Sequence, residues 1–205
     1  MPTILITGFA PFLGHAVNPT SWLAGRLDGV VIGGARIRGV ELPVTFTGAV
    51  PALQAAVAAS QPDAVVMFGL AYDTDAIRPE RLALNLDDAT APDNDGMIRR
   101  NTPIDPAGPM GYWSSLPLDA VADDLMAESI PVKFSRDAGG YICNHLFFGM
   151  RHWRPDVPAG FIHVPPFPEG LKPEDKSHRT GMGPEKLEQA ARLLLARVAA
   201  DLALV

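Results

Sequence analysis

Two short, unbroken apolar runs constrain this chain most: Thr3-Ile4-Leu5-Ile6-Thr7 and Ala64-Val65-Val66-Met67-Phe68. Runs of this length without polar alternation suit strands covered on both faces, as in a sheet with helices above and below it. The residues between them support that reading. Asn18-Pro19-Thr20 opens a helix, with Asn18 as its N-cap and Pro19 at the first helical position. Trp22, Leu23 and Leu27 give this helix an apolar face. Residues 35–44 alternate weakly and read as a strand ending at Pro43, and residues 47–59 form an alanine- and valine-rich helix. The first third therefore reads β-α-β-α-β, the pattern of an α/β sheet.

Further along, residues 79–86 alternate, with Leu82, Leu84 and Leu86 on one face and Glu80 near the start. Asp87-Asp88 and Pro92-Asp93-Asn94-Asp95-Gly96 read as a hairpin or turn, and residues 99–115 as an irregular loop and candidate lid. Residues 118–128 form a helix and 131–135 a short strand. Residues 144–153 are helical through Leu146, Phe147, Met150 and Trp153. Residues 161–164 form a strand stopped by Pro165-Pro166. Residues 184–204 close the chain as a helix, with Leu187, Ala191, Leu194, Leu195 and Val198 on its apolar face. At 205 residues the expectation is one domain, 1–205.

Composition excludes several function classes. A hydrophobic fraction of 47% with 20% charged residues is that of a soluble globular chain, and no apolar run is long enough to span a bilayer. The net charge of −6 argues against nucleic-acid binding, which favours a basic face. One cysteine makes no internal disulfide, and the N-terminus lacks a signal-peptide pattern; a cytoplasmic protein is expected. No GxGxxG follows the first strand and no Walker GK[ST] occurs, so no nucleotide cofactor is expected. The acidic turn at Asp93 and Asp95 lacks the spacing of an EF-hand, so no metal is expected either.

The chemistry-bearing stretch is Asp137-Ala138-Gly139-Gly140-Tyr141-Ile142-Cys143-Asn144-His145. Two glycines permit a sharp turn, and an apolar helix follows, so Cys143 falls at or near a helix start. There the free N–H groups and the positive dipole end favour a thiolate, and the same N–H groups suit an oxyanion. A small, buried, inert cysteine fits the stretch as well. His163 sits at the end of a strand, where it can face Cys143 across one sheet edge; a purely structural histidine is the other reading. Glu80 heads a strand, where a solvated carboxylate is the ordinary outcome. Phe9 and Phe12 lie in the glycine-bounded loop Gly8–Gly14 after the first strand, either as packing or as a pocket at the carboxyl end of the sheet. His15, His145, His152 and His178 are the competing histidines. His145, two residues beyond Cys143 on a helix, points to a different face.

With Thr7-Gly8-Phe9, Asn18-Pro19, Pro79-Glu80-Arg81, Pro92-Asp93-Asn94, Gly140-Tyr141-Ile142-Cys143-Asn144 and His163-Val164-Pro165 in view, the chain resembles the pyroglutamyl peptidases, or pyrrolidone-carboxyl peptidases. The match runs in order along nearly the whole chain. The resemblance implies a three-layer α/β/α sandwich around an open, twisted mixed sheet. It implies a catalytic triad of Cys143, His163 and Glu80, and a substrate pocket drawn from Phe9, Phe12, Tyr141, Ile142, Thr45 and Ala91. It also implies hydrolysis after an N-terminal pyroglutamyl residue through an acyl-thioester, with pyroglutamyl peptides as partners, no metal or cofactor, and a homo-oligomer, a tetramer. A thiol amidase for another small cyclic or N-blocked acyl group, and a non-catalytic binding protein of the same fold, are the alternatives. The chain departs from the family at Tyr72-Asp73-Thr74, where many members carry a Gly-Arg element. It departs again at Thr90-Ala91, where many carry Arg-Ile, the arginine lying close to the family's site.

Overall fold

A computed structural model describes residues 1–12, 17–171 and 179–204. Strand β1 (Thr3–Phe9) leads to helix α1 (Pro19–Leu27), a hairpin of β2 (Val31–Ile32) and β3 (Ala35–Leu42), helix α2 (Ala49–Ser60) and strand β4 (Ala64–Leu70). Strands β5 (Arg78–Leu84) and β6 (Gly111–Trp113), helix α3 (Leu118–Ala127) and strand β7 (Ser135–Asp137) follow. Helix α4 (Ile142–Trp153), strand β8 (Ala159–Val164), a 3-10 turn (Pro168–Gly170) and helix α5 (Pro184–Leu202) complete the described chain.

The strands form one mixed sheet in the order β2-β3-β1-β4-β8-β5-β6, with β7 pairing β5 as well. The central strands β3, β1, β4 and β8 are parallel, as the apolar runs require. Strand β5 runs antiparallel to β8, with Arg78 opposite His163 and Glu80 opposite Phe161. This reversal brings the beginning of β5 to the edge where β1, β4 and β8 end.

Each face of the sheet carries its own apolar layer. Leu23 and Leu27 of α1, Val121 and Leu125 of α3, and Leu187, Leu194 and Leu195 of α5 pack against Ile4, Ile6 and Val66. On the other face Leu53 and Val57 of α2, with Leu146, Phe147 and Met150 of α4, pack against Leu5, Val65, Met67 and Phe161. Strands whose residues feed both layers have no polar face, which is why their sequence runs do not alternate.

Most boundaries fall within two residues of the sequence reading. Asn18 caps α1 as expected, its Oδ1 accepting from the Thr20 backbone N–H at 3.0 Å. Helix α4 begins two residues earlier than residue 144 and takes Ile142 and Cys143 into its first turn. The strand expected at 131–135 lies later, at Ser135–Asp137, and Val132 makes only an isolated bridge to Ile77. Segment 99–115 is not wholly irregular, since Gly111–Trp113 pairs with the end of β5. Strand β2, two residues long, is too short to show a period in the sequence; it forms a hairpin with β3 through the turn Gly33-Gly34, both at positive φ.

Leu194 lies under α5, on the face of the sheet away from α4, and is 1% exposed. Leu194→Ala is expected to cost ~2–5 kcal/mol of unfolding free energy in a denaturant titration, with alkylation of Cys143 unchanged. A loss of Cys143 reactivity in the folded variant would show that the two layers are not independent.

Candidate active site

The proposed residues meet where the strands end. Gly139 takes φ +82°, a region that L side chains resist, and this turns the chain out of β7 into α4. Tyr141 is the N-cap in extended conformation, so Cys143 is the second residue of the helix. The N–H groups of Ile142, Cys143 and Asn144 belong to the first turn, where no intrahelical carbonyl is available to them. Strand β4 must pass close to the sulfur, and Gly69 allows it. A Cβ there would lie 3.0 Å from Cys143 Sγ and 2.6 Å from the Phe161 ring.

His163, 8% exposed at the end of β8, pairs in register with Gly69, the residue at which a Cβ would meet the Cys143 sulfur, and hydrogen-bonds Glu80. Its Nδ1 lies 2.7 Å from Glu80 Oε1. Burial disfavours the imidazolium. The negative charge and hydrogen bond of Cys143, then the hydrogen bond and charge of Glu80, outweigh it and push His163 up to about 9. The ring therefore keeps its second proton at neutral pH and loses it as pH rises through that value. Glu80 is 1% exposed, and its second oxygen, Oε2, has no hydrogen-bond partner among the described residues. A buried acceptor left open costs ~1–3 kcal/mol, a cost met mainly where geometry serves a site.

An apolar depression adjoins the sulfur. Phe9, Phe12, Tyr141 and Ile142 line it, as the resemblance implies. Val44, Leu70 and Asn18, which the resemblance does not name as pocket residues, line it too. The Phe12 and Tyr141 rings lie 6.4 Å apart, and Phe46 meets Tyr141 edge-on at 5.8 Å. The Tyr141 hydroxyl donates to the Pro92 carbonyl at 2.9 Å. Burial and the nearby charges of Asp93 and Cys143 push it up to about 12, so it remains a neutral donor. Phe9 is 3% exposed and packs on Phe161 at 6.5 Å, so it serves core and pocket together.

Two residues expected in the pocket stand outside this lining. Thr45 turns its hydroxyl to the Gly48 N–H at 3.1 Å, where it steadies the entry to α2. Ala91 is half-buried in the loop before Pro92. That loop is held by Asp93, whose Oδ1 accepts from the N–H groups of Asp95 and Met97 and whose Oδ2 accepts from that of Phe46. The acidic turn is thus a backbone clasp. Among the described residues no group of three His, Cys, Asp or Glu side chains is placed to hold a metal ion.

The other described histidines are engaged elsewhere. His145 is buried and pairs through Nδ1 with Asp87 at 3.0 Å, and Arg99 meets the same carboxylate at 3.1 Å. Its ring also packs edge-on against Phe46. Asp87, fully buried, gave no sign of this role in the sequence. His152 bridges Asp105 at 3.0 Å and the Tyr112 hydroxyl at 2.7 Å. His15, His178 and the loop positions Leu13 and Gly14 lie outside the described residues. At the divergent Tyr72-Asp73-Thr74, the Tyr72 carbonyl accepts from Arg179 and Asp73 pairs with Arg78 at 3.1 Å.

Comparison with known proteins settles the family. A family model described as "Pyroglutamyl peptidase" matches residues 2–200. The chain belongs to the pyroglutamyl peptidase family. It is 42% identical over 169 residues to a pyrrolidone-carboxylate peptidase of Gloeobacter violaceus, covering 81% of this chain and 82% of that one. It is 40% identical over 173 residues to that of Brevibacillus brevis, covering 82% and 80%. Among solved structures, pyrrolidone carboxyl peptidase from Thermococcus litoralis superposes with TM-score 0.94 at 34% identity, covering 99% of this chain and 96% of that one. Pyroglutamyl peptidase I of Bacillus amyloliquefaciens gives 0.92 at 33% identity, covering 98% of each. The family's fold is thus present, an α/β sandwich around a mixed sheet.

The Gly69 contact yields a direct check. Gly69→Ala is expected to slow iodoacetamide alkylation of Cys143 on the order of tenfold and to lower stability by ~1–3 kcal/mol through overpacking. Alkylation at the wild-type rate would mean that Sγ does not depend on the space beside β4.

Proposed function

We propose that this chain is a cysteine peptidase that hydrolyses the amide bond following an N-terminal pyroglutamyl residue. The observation that carries the reading is the His163–Glu80 hydrogen bond with the Cys143 sulfur close by at the helix start, beside a small aromatic pocket. Membership of the family supports the substrate. Pyroglutamate is a flat lactam with apolar methylenes, one N–H and one carbonyl. Aromatic walls from Phe12 and Tyr141 suit such a ring.

In this mechanism the Cys143 sulfur attacks the pyroglutamyl carbonyl carbon. The carbonyl π electrons move to oxygen, and the oxyanion is taken up by first-turn N–H groups of α4. The tetrahedral centre collapses, the C–N bond breaks, and the protonated His163 delivers its proton to the leaving amine. The resulting thioester is attacked by water, with neutral His163 accepting the water's proton. Collapse expels the sulfur and releases pyroglutamate. Glu80 holds the imidazole in the tautomer and orientation that both half-reactions use.

Cytoplasmic action as a homo-oligomer forms part of the same proposal, supported by the single cysteine and by likeness to the family. Among the described residues no helix is long and apolar enough to cross a membrane.

The deciding experiment is a fluorogenic pyroglutamyl-amide assay of the wild type beside Cys143→Ala. Turnover by the wild type and a loss of at least ~10³-fold in the variant are expected. Activity retained by Cys143→Ala ends the cysteine-peptidase reading, and a wild type active only on other acyl amides ends the substrate assignment.

The His163 shift supplies a pH test. The charged ring is present below its pKa of about 9, so kcat/KM should fall as pH rises through that value. Glu80 raises the pKa, so Glu80→Gln should move this alkaline limb to lower pH while retaining more activity than His163→Ala. An alkaline limb unmoved in Glu80→Gln would separate Glu80 from the titrating group.

A further inference from the structure

Strand β7 pairs with β5 in parallel, Ser135 opposite Glu80 and Asp137 opposite Leu82. One more step would set residue 139 opposite Leu84, but β7 ends and the glycine turn begins. At that point the Asn144 side chain takes over the pairing. Its Oδ1 accepts from the Leu84 N–H at 2.8 Å, and its Nδ2 donates to the Leu84 carbonyl at 2.9 Å and the Leu86 carbonyl at 2.8 Å. Asn144 is fully buried, and both its amide groups are engaged. A carboxylate accepts without donating, and an aliphatic side chain does neither; only a side-chain amide reproduces the paired donor and acceptor of a peptide.

The neighbouring contacts lie along the same strip of chain. The Asp88 N–H donates to the Gly140 carbonyl at 2.8 Å. A Cβ on Gly140 would lie 2.7 Å from the Asp88 carbonyl oxygen. His145 meets Asp87 at 3.0 Å. Residues 84–88 therefore form a rail along the turn and first turn of α4, and Asn144 is its central fastening. The rail continues directly from β5, which carries Glu80.

We infer that Asn144 is a positioning residue for Cys143. Its amide acts as a surrogate strand peptide that registers the start of α4 on β5, and so sets Sγ relative to His163 and Glu80. The inference rests on the proposed reading of Cys143 as nucleophile. An error on the order of 1 Å in such a placement can cost about 10²-fold in rate.

The test uses the full chain with Asn144→Ala, which removes the amide, and Asn144→Asp, which keeps its shape but loses both donations and sets a charge against two carbonyls. Three quantities are read: kcat and KM on a pyroglutamyl amide, the pH profile of iodoacetamide alkylation of Cys143 followed by mass spectrometry, and the melting temperature. In the folded variants kcat should drop at least ~10²-fold, with KM within about threefold, since ground-state binding is untouched. Asn144→Asp should be the slower of the two. The alkylation profile should shift from that of the wild type, because the sulfur no longer holds its place beside the His163 ring. Should either variant fail to fold, Asn144→Ser, small and polar, carries the same comparison. Wild-type kcat and an unshifted alkylation profile in a folded variant overturn the inference, and so does an effect confined to the melting temperature. A wild type that ignores pyroglutamyl amides, with variants whose alkylation profile still shifts, rejects the proposed substrate and upholds the positioning role.

Discussion

The proposed site depends on the hydrogen bond between Glu80 and His163, and that bond depends on one reversed strand. Strands β1, β4 and β8 all end at the same edge. Had β5 joined them in parallel, Glu80, near its start, would lie at the opposite edge of the sheet. Its antiparallel seating against β8 sets the beginning of one strand beside the end of the other and brings the carboxylate to 2.7 Å from the ring. Burying a charge is tolerable only beside a partner, so the carboxylate and the imidazolium require each other. The Cys143 sulfur extends the line by a third member, and the raised pKa of His163 is the electrostatic expression of all three.

Helix α4 supplies the other half of the geometry. Its inner face is held by Leu146, Phe147 and Met150, so the helix lies firmly on the sheet. Packing of that kind fixes its height above the strands but resists sliding along them less well, because dispersion and hydrophobic contacts are not directional. Directional fastening comes from the Asn144 amide, the Gly140 carbonyl and the His145–Asp87 pair. Tyr141 then ties the same turn to the pocket, as the helix cap, as a wall facing Phe12, and as a donor to Pro92.

The pocket wall is assembled from segments that are far apart in the chain. Residues 9–12 follow β1, Val44 follows β3, Leu70 ends β4 and Tyr141 caps α4. Asp93 gathers the loop beneath Tyr141 by saturating its carboxylate with three backbone N–H groups. The acidic turn is thus a device for holding a loop, and the Asp93 charge is already answered by amide dipoles.

The sequence by itself determined the layers and the order of the central elements, and its family motifs named the proposed triad. Buried strands need unbroken apolar runs, helices announce themselves through caps such as Asn18, and a glycine pair before a lone cysteine signals a turn into a helix. Family motifs tied Cys143, His163 and Glu80 together. What only the tertiary structure decided has a common physical cause: it arises from partners distant in sequence. The reversal of β5, the space at Gly69, the pairing of His145 with Asp87 and the strand-like grip of Asn144 on Leu84 and Leu86 all come from contacts between segments far apart in the chain. No local period or propensity encodes them, because a side chain's partners are chosen by where the fold sets it down.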